Sequence, residues 1–148
     1  MRPGVAMIHR SPFPDPVVPD ASLPAYVLAH ADPLGDHPAL IDGVTGETVT
    51  YAELALRVRA VARGLAGSGV QSGQVVGLIS PNQPAWAVAF YGVLSAGAAV
   101  APINPAFTPD EIGQQLASSG ASLLDVYKRQ PWCRACPCSA RRHRSHKR

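Results

Sequence analysis

The chain has 148 residues, 47% of them apolar, the size and composition of one globular domain and too apolar for an intrinsically disordered chain. Its net charge of +3 joins two unlike parts: residues 127–148 hold eight Lys or Arg and no acid, and residues 1–126 hold five Arg against ten Asp and Glu. The body is therefore acidic, with neither Lys nor Cys, which excludes a disulfide framework there and removes the whole-chain pI of 9.0 as an argument for nucleic-acid binding.

Residues 1–20 read as an extended arm, because the prolines of SPFPDPVVPD forbid a helix. No apolar run of export-signal length follows Arg2 or Arg10. With the Cys-free body, this fits a cytoplasmic protein. Leu23 to His30 suits a short helix after Ser22, with Pro24 tolerated in the first turn. PALID and ETVTY flank DGVTG, the pattern of a β-hairpin.

Thr50-Tyr51-Ala52-Glu53 is a capping-box sequence. It opens a helix with an apolar stripe at Leu54, Val58, Val61, Ala62 and Leu65, which Gly67 and Gly69 end. Arg57 and Arg63 fall on its solvated side. VVGLIS, Val75 to Ser80, is apolar on both faces, as in a parallel strand covered by helices above and below. After the PNQP turn, Pro84 opens a helix that runs to about Ala96 and stops at Gly97. This helix is apolar nearly all round, which predicts burial. AAVAPI forms the next strand, and Pro102 and Asn104 are expected to turn the chain out of the sheet. A second capping box, Thr108 to Glu111 with Pro109 at the first helical position, opens a helix ending at Gly120. ASLLD begins a third strand. The order strand–helix–strand–helix–strand from residue 75 predicts an α/β fold with parallel strands and right-handed crossovers.

The stretch WAVAFYGVLSAGAAVAPI reaches the minimum length of a membrane span, roughly 17–25 residues. Gly97 and Pro102 divide it, so a buried helix and strand are expected instead of an integral span. GSGVQSG at 67–73 has the spacing G-x-G-x-x-x-G and follows a helix, whereas a phosphate loop follows a strand and opens a helix. There is no G-x-x-x-x-G-K-[ST], G-x-S-x-G or H-E-x-x-H. His9, His30 and His37 stand without carboxylates at a telling spacing and read as surface residues.

V-T-Y-A-E-L at 49–54 resembles the first core motif of the AMP-forming acyl-CoA synthetases and adenylation domains. L-S-A-G-A-A-V-A-P-I-N at 94–104 is similar to the second. I-S-P-N-Q-P-A-W-A-V-A-F-Y-G-V-L between them resembles the same superfamily. N-P-A-F-T-P-D-E-I-G-Q-Q-L-A-S-S-G-A at 104–121 resembles most the 4-coumarate–CoA ligase branch. The resemblance covers about residues 11–124. It implies an adenylate-forming ligase that joins a carboxylic acid to coenzyme A through an acyl-adenylate, using ATP and Mg²⁺. It also implies that phosphate-binding and catalytic motifs lie in segments absent here. No catalytic, cofactor-binding or metal-binding residue is therefore carried over, no cofactor is expected on this chain alone, and neither a nucleic acid nor a protein partner is inferred. The family positions present, Thr50, Tyr51, Glu53, Pro81, Asn82, Gly97, Pro102, Asn104, Thr108 and Glu111, read as architecture: caps, stops and turns. One alternative places the Pro81-Asn82 turn beside a ligand cleft, since turns at the carboxyl ends of strands in open α/β sheets line such crevices.

The expected organisation is an arm at 1–20, a partial N-terminal domain of an AMP-dependent synthetase at 21–125, and a basic Cys/His tail at 126–148. The tail admits three readings. Cys133, Cys136 and Cys138 with His143 supply four N/S atoms for Zn²⁺. A basic arm contacts nucleic acid through phosphates. Alternatively the tail is not native, being out of frame or adapter-derived, because acids vanish where Lys and Cys first appear. The third is preferred, so the expectation is an inactive ligase fragment, with a small α/β binding module bearing a zinc- or nucleic-acid-binding tail as the alternative.

Overall fold

The computed structural model describes residues 11–126. The elements in chain order are α1 (Leu23–Leu28), α2 (Ala31–Leu34), β1 (Pro38–Ile41), β2 (Thr48–Thr50), α3 (Tyr51–Gly67), β3 (Val75–Ile79), α4 (Pro84–Ser95), β4 (Ala99–Ile103), α5 (Pro109–Ser119) and β5 (Leu123–Val126). β1 and β2 form the antiparallel hairpin that the sequence predicts. Asp42 shapes its loop by accepting hydrogen bonds from the amides of Val44 and Thr45, at 2.8 and 2.9 Å. β3, β4 and β5 form a parallel sheet in the order β4-β3-β5.

Both capping boxes form. The Thr50 hydroxyl accepts from the Glu53 amide at 3.2 Å, and the Glu53 carboxylate accepts from the Thr50 amide at 3.0 Å. At α5 the corresponding distances are 3.4 Å to Thr108 and 2.8 Å to Glu111. Each box satisfies two amides that a helix start otherwise leaves unpaired. Gly120 closes α5 in the left-handed conformation that suits glycine. Two further amides of α3, Tyr51 and Ala52, donate to the carbonyls of His37 and Gly35. They tie the helix start to the segment before the hairpin.

The core has two parts, to both of which α4 contributes. Val49, Leu54, Val58 and Val88 bury one cluster among hairpin, α3 and α4. Val76, Val93 and Ala98 bury the other between α4 and the sheet. Gly77, the next residue of β3, faces the opposite side. A Cβ there would lie 2.8 Å from the Leu116 side chain of α5. Helices therefore cover both faces of β3, as its unbroken apolar run predicts.

Three features depart from the sequence reading. α2 was not anticipated: a four-residue helix has no periodicity to show. Pro102 does not turn the chain out of the sheet. It lies within β4, paired in register with Leu78, and the chain leaves after Ile103. Proline is tolerated there because β4 is an edge strand. Finally, α4 is not buried all round. Pro84, Val88, Gly92 and Val93 are buried, whereas Trp86, Phe90 and Leu94 are half-buried. Among the described residues α1, α3 and the sheet cover only part of its circumference.

Candidate functional site

The sheet order fixes where a crevice must open. The chain leaves β3 into α4 on one face and leaves β4 into α5 on the other. β3 and β4 are neighbours, so their following turns diverge and part the carboxyl edge between them. This is the topological switch point at which open α/β sheets bind ligands. A depression of about 360 Å³ lies there, lined by Ser80, Pro81, Asn82, Trp86, Pro102, Ile103, Asn104 and Pro105.

Hydrogen bonds set the shape of its walls. Ser80 is buried, 5% exposed. Its hydroxyl donates to the Pro81 carbonyl at 2.9 Å and accepts from the Gln83 amide at 3.0 Å. That pair fixes the turn and leaves Gln83 unable to cap α4, which has no side-chain cap. Asn104 is likewise committed: its side-chain carbonyl accepts from the Ala106 amide at 3.0 Å. The ring of Trp86 stacks on Phe90 at 5.0 Å, an i, i+4 pair on α4. Asn82 is exposed, and its side chain has no hydrogen-bond partner among the described residues.

A second groove of about 320 Å³ lies on the other side of the same turn. It is lined by Asp42, Val44, Thr45, Glu47 and Arg57 and by Pro81 to Ala85. Its one cation is engaged, since Arg57 lies 3.8 Å from Glu47. The amides of Thr45, first, and Val44 hold the Asp42 carboxyl below its ordinary pKa.

Four of the family positions, Pro81, Asn82, Pro102 and Asn104, thus converge on one crevice. The others do not. Thr50, Tyr51 and Glu53 start α3, and Thr108 and Glu111 start α5. Gly97 lies at the amino edge of the sheet against Ser72 with φ +79°. Cys133, Cys136, Cys138 and His143 lie outside the described residues. Sequence reasoning missed Ser80, Trp86, Ile103 and Pro105 as lining residues. Their signal was position: they end a parallel strand or follow it. The strand order that opens the crevice beside them is not written in any local pattern. The crevice residues are all uncharged. They do not fit a triphosphate or Mg²⁺, which need cations, clustered amides or carboxylates. The arrangement offers apolar and hydrogen-bonding surface and no charge.

The family model described as AMP-binding enzyme matches residues 28–146, past β5 and into the basic stretch. Among curated proteins, 4-coumarate–CoA ligase 1 of Petroselinum crispum is 40% identical over 119 residues, 80% of this chain and 22% of that protein. The 4-coumarate–CoA ligase of Pinus taeda is 39% identical over 121 residues, 81% of this chain and 22% of that protein. The chain thus spans about a fifth of the length of these relatives. Among solved structures, the N-terminal subdomain of Klebsiella oxytoca NpsA in complex with 3-hydroxyanthranilyl-AMSN superposes with a TM-score of 0.65 at 26% identity, over 70% of this chain and 26% of that one. The nonribosomal peptide synthetase FmoA3 gives a TM-score of 0.69 at 28% identity, over 76% of this chain and 13% of that one. By sequence and by fold, the chain belongs to the AMP-binding enzyme family.

Proposed function

We propose that this chain is the opening part of an ATP-dependent acid–CoA ligase and is inactive by itself. In the whole reaction a carboxylate oxygen attacks the α-phosphorus of ATP and pyrophosphate leaves. The thiol of coenzyme A then attacks the acyl carbon, and AMP leaves with the carboxylate oxygen. ATP, Mg²⁺, coenzyme A and a small carboxylic acid belong to the full-length protein, with a cytoplasmic location and no nucleic-acid partner. The observation that carries the reading is the 40% identity to a 4-coumarate–CoA ligase over 119 residues. The switch-point crevice adds a wall of the right topology. The residues that line that crevice are uncharged, so what they contribute is shape and hydrogen bonding.

The decisive measurement is ATP–pyrophosphate exchange with a panel of carboxylic acids that includes 4-coumarate and fatty acids. The full-length product of the parent gene should exchange with at least one acid, and the 148-residue chain with none. Exchange by this chain, or a full-length product that exchanges with no acid, sinks the reading. We further propose that the sequence after about residue 125 is non-native, a reading against which the family match to residue 146 counts and which the parent DNA decides. The parent DNA, read in another frame beyond that codon, should continue into a Gly/Ser/Thr-rich loop ending in Lys. An unbroken frame to a natural stop refutes this second proposal alone.

A further inference from the structure

Asp42-Gly43 is the single Asp-Gly pair in the chain, and Asn-Gly does not occur. A glycine has no side chain to shield its nitrogen, which can therefore attack the carboxyl of the residue before it. Gly43 is exposed and Asp42 is half-buried, and nothing lies within 4 Å of where a Gly43 Cβ would stand. Crowding therefore does not protect the pair, but hydrogen bonds do. Four converge on Asp42. Its amide donates to the Glu47 carbonyl at 2.8 Å, and its carbonyl accepts from the Gly46 amide at 2.9 Å. Its Oδ1 accepts from the Val44 and Thr45 amides at 2.8 and 2.9 Å, the turn that an aspartate side chain makes with the backbone ahead of it. The Gly43 nitrogen reaches Cγ only if the backbone and side chain of Asp42 rotate, which these bonds resist. The amides of Thr45, first, and Val44 also favour the ionised carboxyl, the form that loses water less readily.

We propose that Asp42-Gly43 is a site of spontaneous isomerisation that the folded hairpin loop holds shut and that opening of the loop releases. In the step the Gly43 nitrogen bonds to Asp42 Cγ. The carboxyl hydroxyl leaves as water with the proton of that nitrogen, and a cyclic imide remains. Water then adds back. Cleavage of the new bond returns aspartate. Cleavage of the bond between the Gly43 nitrogen and the Asp42 main-chain carbonyl carbon leaves the chain running through Cβ and Cγ, and the residue is isoaspartate. No atom is gained or lost overall. The product cannot remake the loop. The oxygen that received the Gly46 amide now belongs to a free carboxylate, and the remaining side-chain oxygen has become a main-chain carbonyl. Asp42, Val44, Thr45 and Glu47 line the groove that faces Pro81 to Ala85, so an isomerised loop also alters that wall. Every reacting group and every restraining bond lies within residues 42–47, and none takes part in the proposed ligation.

The test incubates the full 148-residue chain and a synthetic peptide of residues 38–50 side by side in the same neutral buffer. Peptide mapping by mass spectrometry, with enzymatic methylation of isoaspartate as a second readout, follows position 42 over time. Isoaspartate should form at least about tenfold more slowly in the chain than in the peptide, because the loop must open first and opening forfeits these hydrogen bonds. Urea should bring the rate in the chain up to that in the peptide. Gly43→Ala crowds the attacking nitrogen, and its added Cβ meets no neighbour. Position 43 also lies outside the left-handed region, so the variant should keep the far-UV circular dichroism of the parent and isomerise severalfold more slowly as a peptide. Hydrogen exchange on the unsubstituted chain keeps the test independent of the variant: the Val44, Thr45 and Gly46 amides should exchange more slowly than in the peptide. Equal isomerisation in chain and peptide, a peptide that forms no isoaspartate, or unprotected Val44 and Thr45 amides in the chain overturns the proposal.

Discussion

At the residue scale, two glycines decide how closely the helices approach. A Cβ at Gly92 would lie 2.5 Å from the Val61 Cγ1 and 2.7 Å from its Cβ. The second distance involves an atom fixed to the α3 backbone, so α3 and α4 must part to relieve it. Gly92→Ala gains about 1 kcal/mol of helix propensity. Overpacking costs typically 1–3 kcal/mol, and with two contacts below 3 Å the steric effect wins. Gly92→Ala should lower the stability of any folded protein containing this body by about 1–2 kcal/mol. Denaturant unfolding of the pair measures it, and a stabilised variant would show that the helices are not held this closely. A second residue-scale effect depends on pH. The Thr108 amide, first, and the Thr108 hydroxyl hold the Glu111 carboxyl below its ordinary pKa. A carboxyl depressed in the folded state adds stability that is present above its unfolded pKa and lost as pH falls through the folded one. The window therefore opens below about pH 4.3, the ordinary glutamate value. Glu111→Gln should flatten that part of the stability–pH curve. The change is small, because the group is exposed and salt screens it. Identical curves for parent and variant below pH 4 would remove the cap from the account.

At the element scale, what could be read in advance followed from local chemistry. Thr50, Glu53, Thr108 and Glu111 announced two helix starts because a capping box is complete within four residues. Asp42-Gly43 announced a turn, and Val75 to Ile79 announced a doubly covered strand. What stayed hidden depends on distant partners. The burial of α4 is one case: its composition is apolar on every side, but its exposure depends on which elements lie beside Trp86 and Phe90. The crevice is another. Pro81, Asn82, Pro102 and Asn104 are separated by about twenty residues of sequence. They meet only because β4 pairs beside β3 and β5 crosses to its far side. Pro102 shows the same limit from the other direction. In sequence it reads as a terminator, and only the outward register of an edge strand lets it remain within β4. Removing a cap tests the part that was legible. Thr50→Ala should cost about 1 kcal/mol and shorten α3 from its start, seen as faster amide exchange at Glu53 but not at Val61. Equal exchange at both positions would mean that the hydrogen bonds of Tyr51 and Ala52 to His37 and Gly35 suffice without the box.

At the scale of the whole molecule, the described body holds more apolar surface than it can cover. β5 has an open edge, Leu123 and Leu124 are exposed on it, and Trp86 and Phe90 are half-covered on α4. The buried clusters are small, with Val49, Val58, Val76 and Leu78 the largest side chains fully enclosed. Packing enthalpy and the cooperativity it brings scale with such enclosed contacts, whereas the entropy cost of ordering the backbone is carried by every residue. A body with so thin a core should keep its helices and hairpin more firmly than its side-chain packing, the balance that produces a compact state with secondary structure but loose tertiary order. The 148-residue chain alone should therefore unfold over a broad temperature range and bind a hydrophobic dye such as ANS strongly at neutral pH. A steep, cooperative melt of the isolated chain with little dye bound would mean that its core is sufficient after all, and that the exposed leucines and the α4 flank are ordinary surface.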